Sequence, residues 1–161
     1  MTEFRNLETH LQVLPEWIDE NGHMTANAFL PAFDRATETL FKYLDIGWIY
    51  NEYSLYTMGM NLDFRRELLQ GNPLSIKTTL LDFDHKRIHL FHQMFQSDVG
   101  YLAATNEILF INVSLETRRS APFSDVLQDR LRGLFQLNEG QGSPPNAFRQ
   151  LKIIRNENTE E

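Results

Sequence analysis

The chain has 161 residues, no cysteine and a formal net charge of −7, with 42% hydrophobic and 12% aromatic residues. That length suits a single core, and the lack of cysteine excludes a disulfide scaffold, a thiolate metal site and a cysteine nucleophile. The negative charge argues against broad nucleic-acid binding, although a few clustered cations could still hold a small phosphorylated ligand. No apolar run approaches the ~20 residues of a membrane span. Met1 to Asn6 has neither the basic nor the apolar region of a signal peptide, so a cytoplasmic protein without nucleic-acid or membrane partners is expected.

Leu7, Thr9, Leu11 and Val13 alternate with polar residues, which predicts a first strand ending at Pro15. After a polar turn, Phe29, Phe33, Ala36, Leu40 and Leu44 fall at helical spacing, with Ala32 and Phe41 widening the stripe. Asp34, Arg35, Glu38 and Lys42 take the opposite face, so residues 28–44 read as one long amphipathic helix. Pro31 is expected in its first turn or at a slight kink, and Gly47 is the expected residue just past its end. From Tyr53 the period becomes two: Tyr56, Met58, Met60, Leu62 and Phe64 share one face, and Thr57, Gly59, Asn61, Asp63 and Arg65 the other.

Gly71-Asn72-Pro73 turns into a strand from Leu74 to Phe83. Asp82 to His85 turns into Lys86–Gln96, and Asp98-Val99-Gly100 into Tyr101–Val113. Pro122 stops the strands, and residues 123–136 can form a closing helix through Val126, Leu127, Leu131, Leu134 and Phe135. Residues 138–161 read as a flexible extension of a 1–137 domain, with Phe148, Leu151, Ile153 and Ile154 able to dock on the body. A strand, a long helix and then four strands joined by short turns is the order of an α+β fold with an antiparallel sheet. Curling that sheet around the helix would bury the Phe33/Leu40 stripe.

The chemistry concentrates in residues 16–29. Asp19 stands on a polar turn, three residues before Gly22-His23, and the long helix begins just beyond. A carboxylate there can attack or activate water, while the unpaired N–H groups of a first helical turn can hold a developing oxyanion. The bland alternative is a turn acid that caps the helix. Asn21 and His23 are turn formers first, and groups able to position water or polarise a carbonyl second. Glu67 is a second acidic candidate, and Glu38 a weaker one on the helix.

His85, His89 and His92 suggest a metal, but on a strand His89 and His92 point to opposite faces and no cysteine or tight carboxylate cluster completes a set, so no metal is expected. There is no Gly-rich phosphate loop and no Gly-x-Ser-x-Gly elbow.

Asp-x-x-Gly-His at 19–23, followed by Phe29, resembles the active-site segment of hotdog-fold acyl-CoA thioesterases of the 4-hydroxybenzoyl-CoA thioesterase type. Residues 15–24, Asp84 to His92 and Arg118 to Phe123 extend the likeness to the betainyl-CoA thioesterases of carnitine degradation, with departures at Asn112 and Ser114.

That resemblance implies a hotdog fold, hydrolysis of an acyl-CoA without a cofactor, and catalysis by Asp19 with Asn21 and His23. It places the oxyanion donors at the backbone of Thr25 and Ala26. The quaternary ammonium of a betainyl group would be met by aromatic faces: Trp17, Phe29 and Tyr56 first, with Trp48, Tyr53 and Phe91 in reserve. Lys86-Arg87 and Arg118-Arg119, with Arg65-Arg66, are the cations available to coenzyme A. A homodimer or a dimer of dimers is implied, because sites of this family form between protomers. The rival readings are a thioesterase for another short or aromatic acyl-CoA and a non-catalytic acyl-CoA-binding dimer.

Overall fold

The change of hydrophobic period along the chain takes form as one sheet laid over one long helix. The computed structural model describes residues 7–46, 51–148 and 151–155. Gly47 and Trp48, and the residues after Arg155, lie outside these. The elements are β1 (Leu7–Gln12), α1 (Ala26–Tyr43), β2 (Tyr53–Phe64), β3 (Pro73–Phe83), β4 (Arg87–Gln96), β5 (Leu102–Ser114) and α2 (Asp125–Glu139), with a short 3-10 turn at Pro15–Trp17. Every strand pairing is antiparallel, in the order β1-β3-β4-β5-β2. Among the described residues no helix is long and apolar enough to cross a membrane.

α1 lies over β1, β3 and β4 and buries Phe29, Phe33, Ala36 and Leu40, the stripe predicted from spacing. Each such large side chain contributes roughly 1.5–3 kcal/mol by leaving water. This is the hotdog arrangement. The helix starts two residues before the predicted position, so Pro31 falls in its second turn rather than its first.

The chain leaves the helix at Asp45, with φ of 54°, while Gly47, the expected residue, lies outside the described residues. The N–H of Ile46 reaches Phe41 O at 2.9 Å and that of Asp45 reaches Lys42 O at 3.0 Å, the paired closure of a left-handed helix stop. Asp tolerates that conformation; here Arg130 pairs with its carboxylate at 3.2 Å, while burial of Ile46 anchors the exit.

The sheet has two differently covered faces. Ile88, Leu90, His92 and Met94 of β4 and Ala104, Ile108 and Phe110 of β5 face the α1 side and are buried. The alternate residues, His89 and Phe91 of β4 with Glu107 and Leu109 of β5, face outward, and they too are buried. The C-terminal residues lie over this outer face: the Phe148 ring stands edge-on to His89 at 5.2 Å, and Arg155 forks onto Asp82 at 2.6 and 2.9 Å. A Cβ on Gly59 would lie 3.5 Å from Leu151. Of the four residues expected to be able to dock here, Ile153 is buried, whereas Phe148 and Ile154 are exposed.

α2 starts behind Ser124, whose hydroxyl accepts the Leu127 N–H, and it runs past the predicted 136 to Glu139. Its residues Leu127, Leu131 and Leu134 join Leu40, Leu80 and Ile88 in one apolar cluster. Asn138 Oδ1 then accepts the Leu80 N–H at 2.8 Å, on the stretch of β3 that has no β1 partner.

β2 is an edge strand, and α1 does not cover it. The single apolar face predicted from the two-residue period is broken by a β-bulge between Thr57 and Gly59: Tyr56 pairs with Ile111 on the outer face, whereas Met60, Leu62 and Phe64 pair with Ile108, Asn106 and Ala104 on the α1 side. Leu62 packs on the core, and Tyr56, Met58, Met60 and Phe64 are exposed.

Candidate active site

The turn that carries Asp19 is a small hairpin. Ile18 bridges Met24, the Asp19 N–H reaches His23 O at 2.9 Å, and the Gly22 N–H reaches Asp19 O at 3.0 Å. Gly22 has φ of 81°, a region that a side chain would strain. Two anchors fix the hairpin to the body: His23 bridges Leu69, and the Met24 N–H bonds Leu68 O at 2.7 Å.

Asp19 Oδ1 accepts the N–H groups of Asn21 (2.8 Å) and His23 (3.2 Å). Oδ2 makes no hydrogen bond among the described residues. The backbone donors of His23 and Asn21 favour the ionised form and hold the carboxyl below its ordinary 3.8. The carboxylate is thus charged, solvent-facing and fixed in direction, with one oxygen free. The backbones of His23 and Asn21 make the main contacts, with smaller contributions from the His23 charge and the Asn21 side chain. The His23 ring turns instead to Glu67, with Nε2 3.0 Å from Oε2.

At the helix start the free N–H groups are not the pair expected from the sequence. The Thr25 N–H is already bonded to Trp17 O at 2.8 Å, so it is not available to an oxyanion. Ala26 and Asn27 follow. Thr25 makes no side-chain cap and no acid stands in the first turn. Among the described residues the Ala26 and Asn27 N–H groups have no acceptor, and both residues are exposed. A cleft of ≈ 340 Å³ opens there, bounded by Met24, Ala26 and Phe29 on one side and by Phe64 to Glu67 on the other. Sequence reading overlooked Phe64 as a lining residue, because exposure on an edge strand leaves no mark in a period-two pattern. Phe64 meets Phe29 edge-on at 5.0 Å.

The other predicted site residues divide. Phe29 lines the cleft. Trp17 does not: it is buried among Val13, Met24 and Phe29, with the Arg35 guanidinium 5.4 Å from its ring centroid. Only 8% of Trp17 is exposed. Tyr56 stands on β2 eight residues from Phe64, roughly 25 Å along an extended strand, so it is remote from the cleft of its own chain.

Lys86, Arg87, Arg118 and Arg119 gather at the opposite end of the sheet, where Arg87 faces Ile111 and the Arg119 carbonyl accepts the Ser114 N–H. Within one chain they do not approach Asp19. Arg87 is also committed to its own turn, bonding Asp84 at 2.6 and 2.8 Å and Ile154 O at 3.0 Å. Lys86 bonds Ser120 at 3.3 Å. Of the three basic pairs, only Arg65-Arg66 borders the cleft.

The histidines of β4 do face opposite ways. His89 bonds Glu107 at 2.9 Å on the outer face, and His92 lies between Thr37 (3.1 Å) and Thr78 (2.9 Å) beneath α1. Asn112, one of the departures, is buried and donates to Ala121 O and Pro122 O, holding the chain that leaves β5.

Residues 13–131 match the model of the thioesterase-like superfamily. The betainyl-CoA thioesterase of Pseudomonas aeruginosa is 31% identical over 144 residues, which cover 88% of this chain and 91% of that one.

The chain belongs to the thioesterase-like superfamily.

Its activity is that of the superfamily's enzymes, hydrolysis of an acyl-CoA thioester. A second relative, the L-carnitine dehydrogenase/betainyl-CoA thioesterase of Ruegeria pomeroyi, is 30% identical over 82% of this chain, which spans 27% of that longer protein. Among solved structures, the protein SAV2348 of Staphylococcus aureus in complex with CoA superposes with a TM-score of 0.79 at 23% identity. The match covers 92% of this chain and 96% of that one, and it speaks to the fold alone.

Proposed function

We propose that this thioesterase acts on betainyl-CoA or a closely similar short acyl-CoA, with Asp19 as nucleophile or general base. The observation that supports the mechanism is a carboxylate fixed on the hairpin that leads into a helix start whose Ala26 and Asn27 N–H groups are unused among the described residues. The thioester oxygen accepts those two N–H groups, and Asp19 Oδ2 attacks the carbonyl carbon or takes a proton from the water that does. Charge collects on the oxygen facing the donors. The intermediate then expels the thiolate of coenzyme A, a leaving group that needs no strong acid. After direct attack, water hydrolyses the resulting anhydride and restores Asp19. The substrate reading is supported by the Pseudomonas aeruginosa relative, which matches along nearly its whole length.

The assembly belongs to the same proposal. β2 is an open edge carrying exposed Tyr56, Met58, Met60 and Phe64, a surface that pairs readily with a second strand. Antiparallel pairing of β2 with its copy would set the Tyr53 end of one protomer beside the Phe64 end of the other. Arg118 and Arg119 of one chain would then stand near the cleft of its partner, within reach of a bound coenzyme's phosphates. Sedimentation should show a dimer or a larger even assembly, and an active monomer at assay concentration would overturn this arrangement.

The deciding experiment measures CoA release from a panel of acyl-CoA esters by the wild type and by Asp19→Asn. The amide keeps the shape but removes the base, and kcat should fall by at least ~10²-fold on every ester cleaved. Near-normal turnover by that variant would exclude Asp19 from the mechanism.

A further inference from the structure

Trp17 is buried under Arg35 and does not line the cleft, and the cleft wall offers a different means of recognising a charged acyl group. Three charged residues border it, and two of them are engaged by groups outside it. The Arg66 guanidinium lies over the Tyr101 ring at 4.1 Å, and Arg65 pairs with Asp63 at 3.7 Å. Among the described residues Glu67 is the only carboxylate on the lining. One of its oxygens meets His23 at 3.0 Å; the other has no partner among the described residues, and the side chain is 64% exposed.

Three residues before it, on the same side of the cleft, stands Phe64, half exposed and braced edge-on against Phe29. Aromatic surface together with an anion is what a quaternary ammonium requires, because the ring's negative face and the carboxylate both attract a charge too bulky to donate hydrogen bonds. The carbonyl donors at Ala26 border the same cleft. In a betainyl group the nitrogen is two bonds from the carbonyl carbon, so an ester held at those donors keeps its charge close to this wall.

We propose that Glu67, with Phe64 and Phe29, selects acyl groups carrying a fixed positive charge, the carboxylate serving as their counter-charge. This rests on the betainyl-CoA reading above and supplies its specificity residue. His23 has a part in it: by binding Oε2 it directs the free Oε1.

The test compares kcat/KM for betainyl-CoA with that for 3,3-dimethylbutyryl-CoA, which has the same shape without the charge, in the wild type, Glu67→Gln and Glu67→Lys. The wild type should favour the charged ester. The ratio of the two values should drop roughly tenfold in Glu67→Gln, as expected for loss of one charge at a partly solvated contact, and further in Glu67→Lys. Glutamine retains a hydrogen-bonding partner for His23, so a fall in both esters with the same ratio would mean that Glu67 acts through the turn, and would overturn the inference. A wild type that favours betainyl-CoA with a ratio untouched by either variant would also overturn it, while leaving the substrate reading intact. A wild type with no preference between the esters would remove the substrate reading and the inference together.

Discussion

His23–Glu67 and His89–Glu107 are the same chemical pair at nearly the same distance, 3.0 and 2.9 Å, in opposite surroundings. The first stands at the mouth of the cleft with both side chains well exposed. The second is sealed on the outer face of the sheet, with exposures of 0% and 1%. Water screens the exposed pair, so it adds little to stability and leaves a carboxylate oxygen free to meet a ligand.

Burial makes the other pair a structural clamp. Glu107 Oε1 accepts both the His89 Nε2–H and the Phe148 N–H, which ties the C-terminal segment to β5. Desolvation pushes the proton affinity of His89 down, and the adjacent Glu107 opposes that shift. Among the described residues, two atoms of this pair, His89 Nδ1 and Glu107 Oε2, have no hydrogen-bond partner, which water would supply at the surface. Exposure, more than residue type, assigns each pair its work.

Breaking the buried pair should have the larger effect. Glu107→Ala leaves His89 and the Phe148 N–H without their acceptor and should destabilise the fold by about 3–5 kcal/mol in urea denaturation. Glu107→Gln, which still accepts, should do less harm. A loss from Glu107→Ala below about 1 kcal/mol would place the buried pair with surface pairs and end the contrast.

His92 sharpens the same contrast through pH. Burial between Thr37 and Thr78 lowers its pKa to about 3 from the ordinary 6.5. The folded state refuses a proton that the unfolded chain accepts, so this contribution is complete above 6.5 and is lost as pH falls toward 3. Between about pH 4 and 6 the wild type should lose roughly 1.4 kcal/mol per pH unit more than His92→Gln. Parallel stability curves would show that His92 is not the titrating group.

The exposed pair should give the smallest effect. A double-mutant cycle of His23→Ala and Glu67→Ala should return a coupling of no more than about 1 kcal/mol, weakening with added salt. A coupling several times larger would make this pair a clamp like its buried counterpart.

The acid turn was legible because its signals are local. Asp19, Gly22 and the helix behind them are neighbours in the chain, and a glycine at positive φ with an acid accepting nearby N–H groups needs no distant partner. The binding residues were legible only in part. Trp17 and Tyr56 have suitable chemistry, but nothing in their sequence neighbourhood records that Arg35 covers one and that the length of β2 separates the other from the cleft. Arg87 likewise reads as a free cation until its turn shows it bound to Asp84.

By itself the sequence determined the order of elements, the buried stripe of α1, the antiparallel α+β class and the placing of an acid before a helix start. All of these depend on periodicity and turn chemistry over a few residues. Tertiary structure decided which N–H groups remain free, since Thr25 is taken by Trp17 from across the hairpin. It also decided which apolar residues of β2 stay exposed and which of two His–Glu pairs lies in water. Those outcomes depend on strand order and on what packs over each face, and both join residues far apart in the chain.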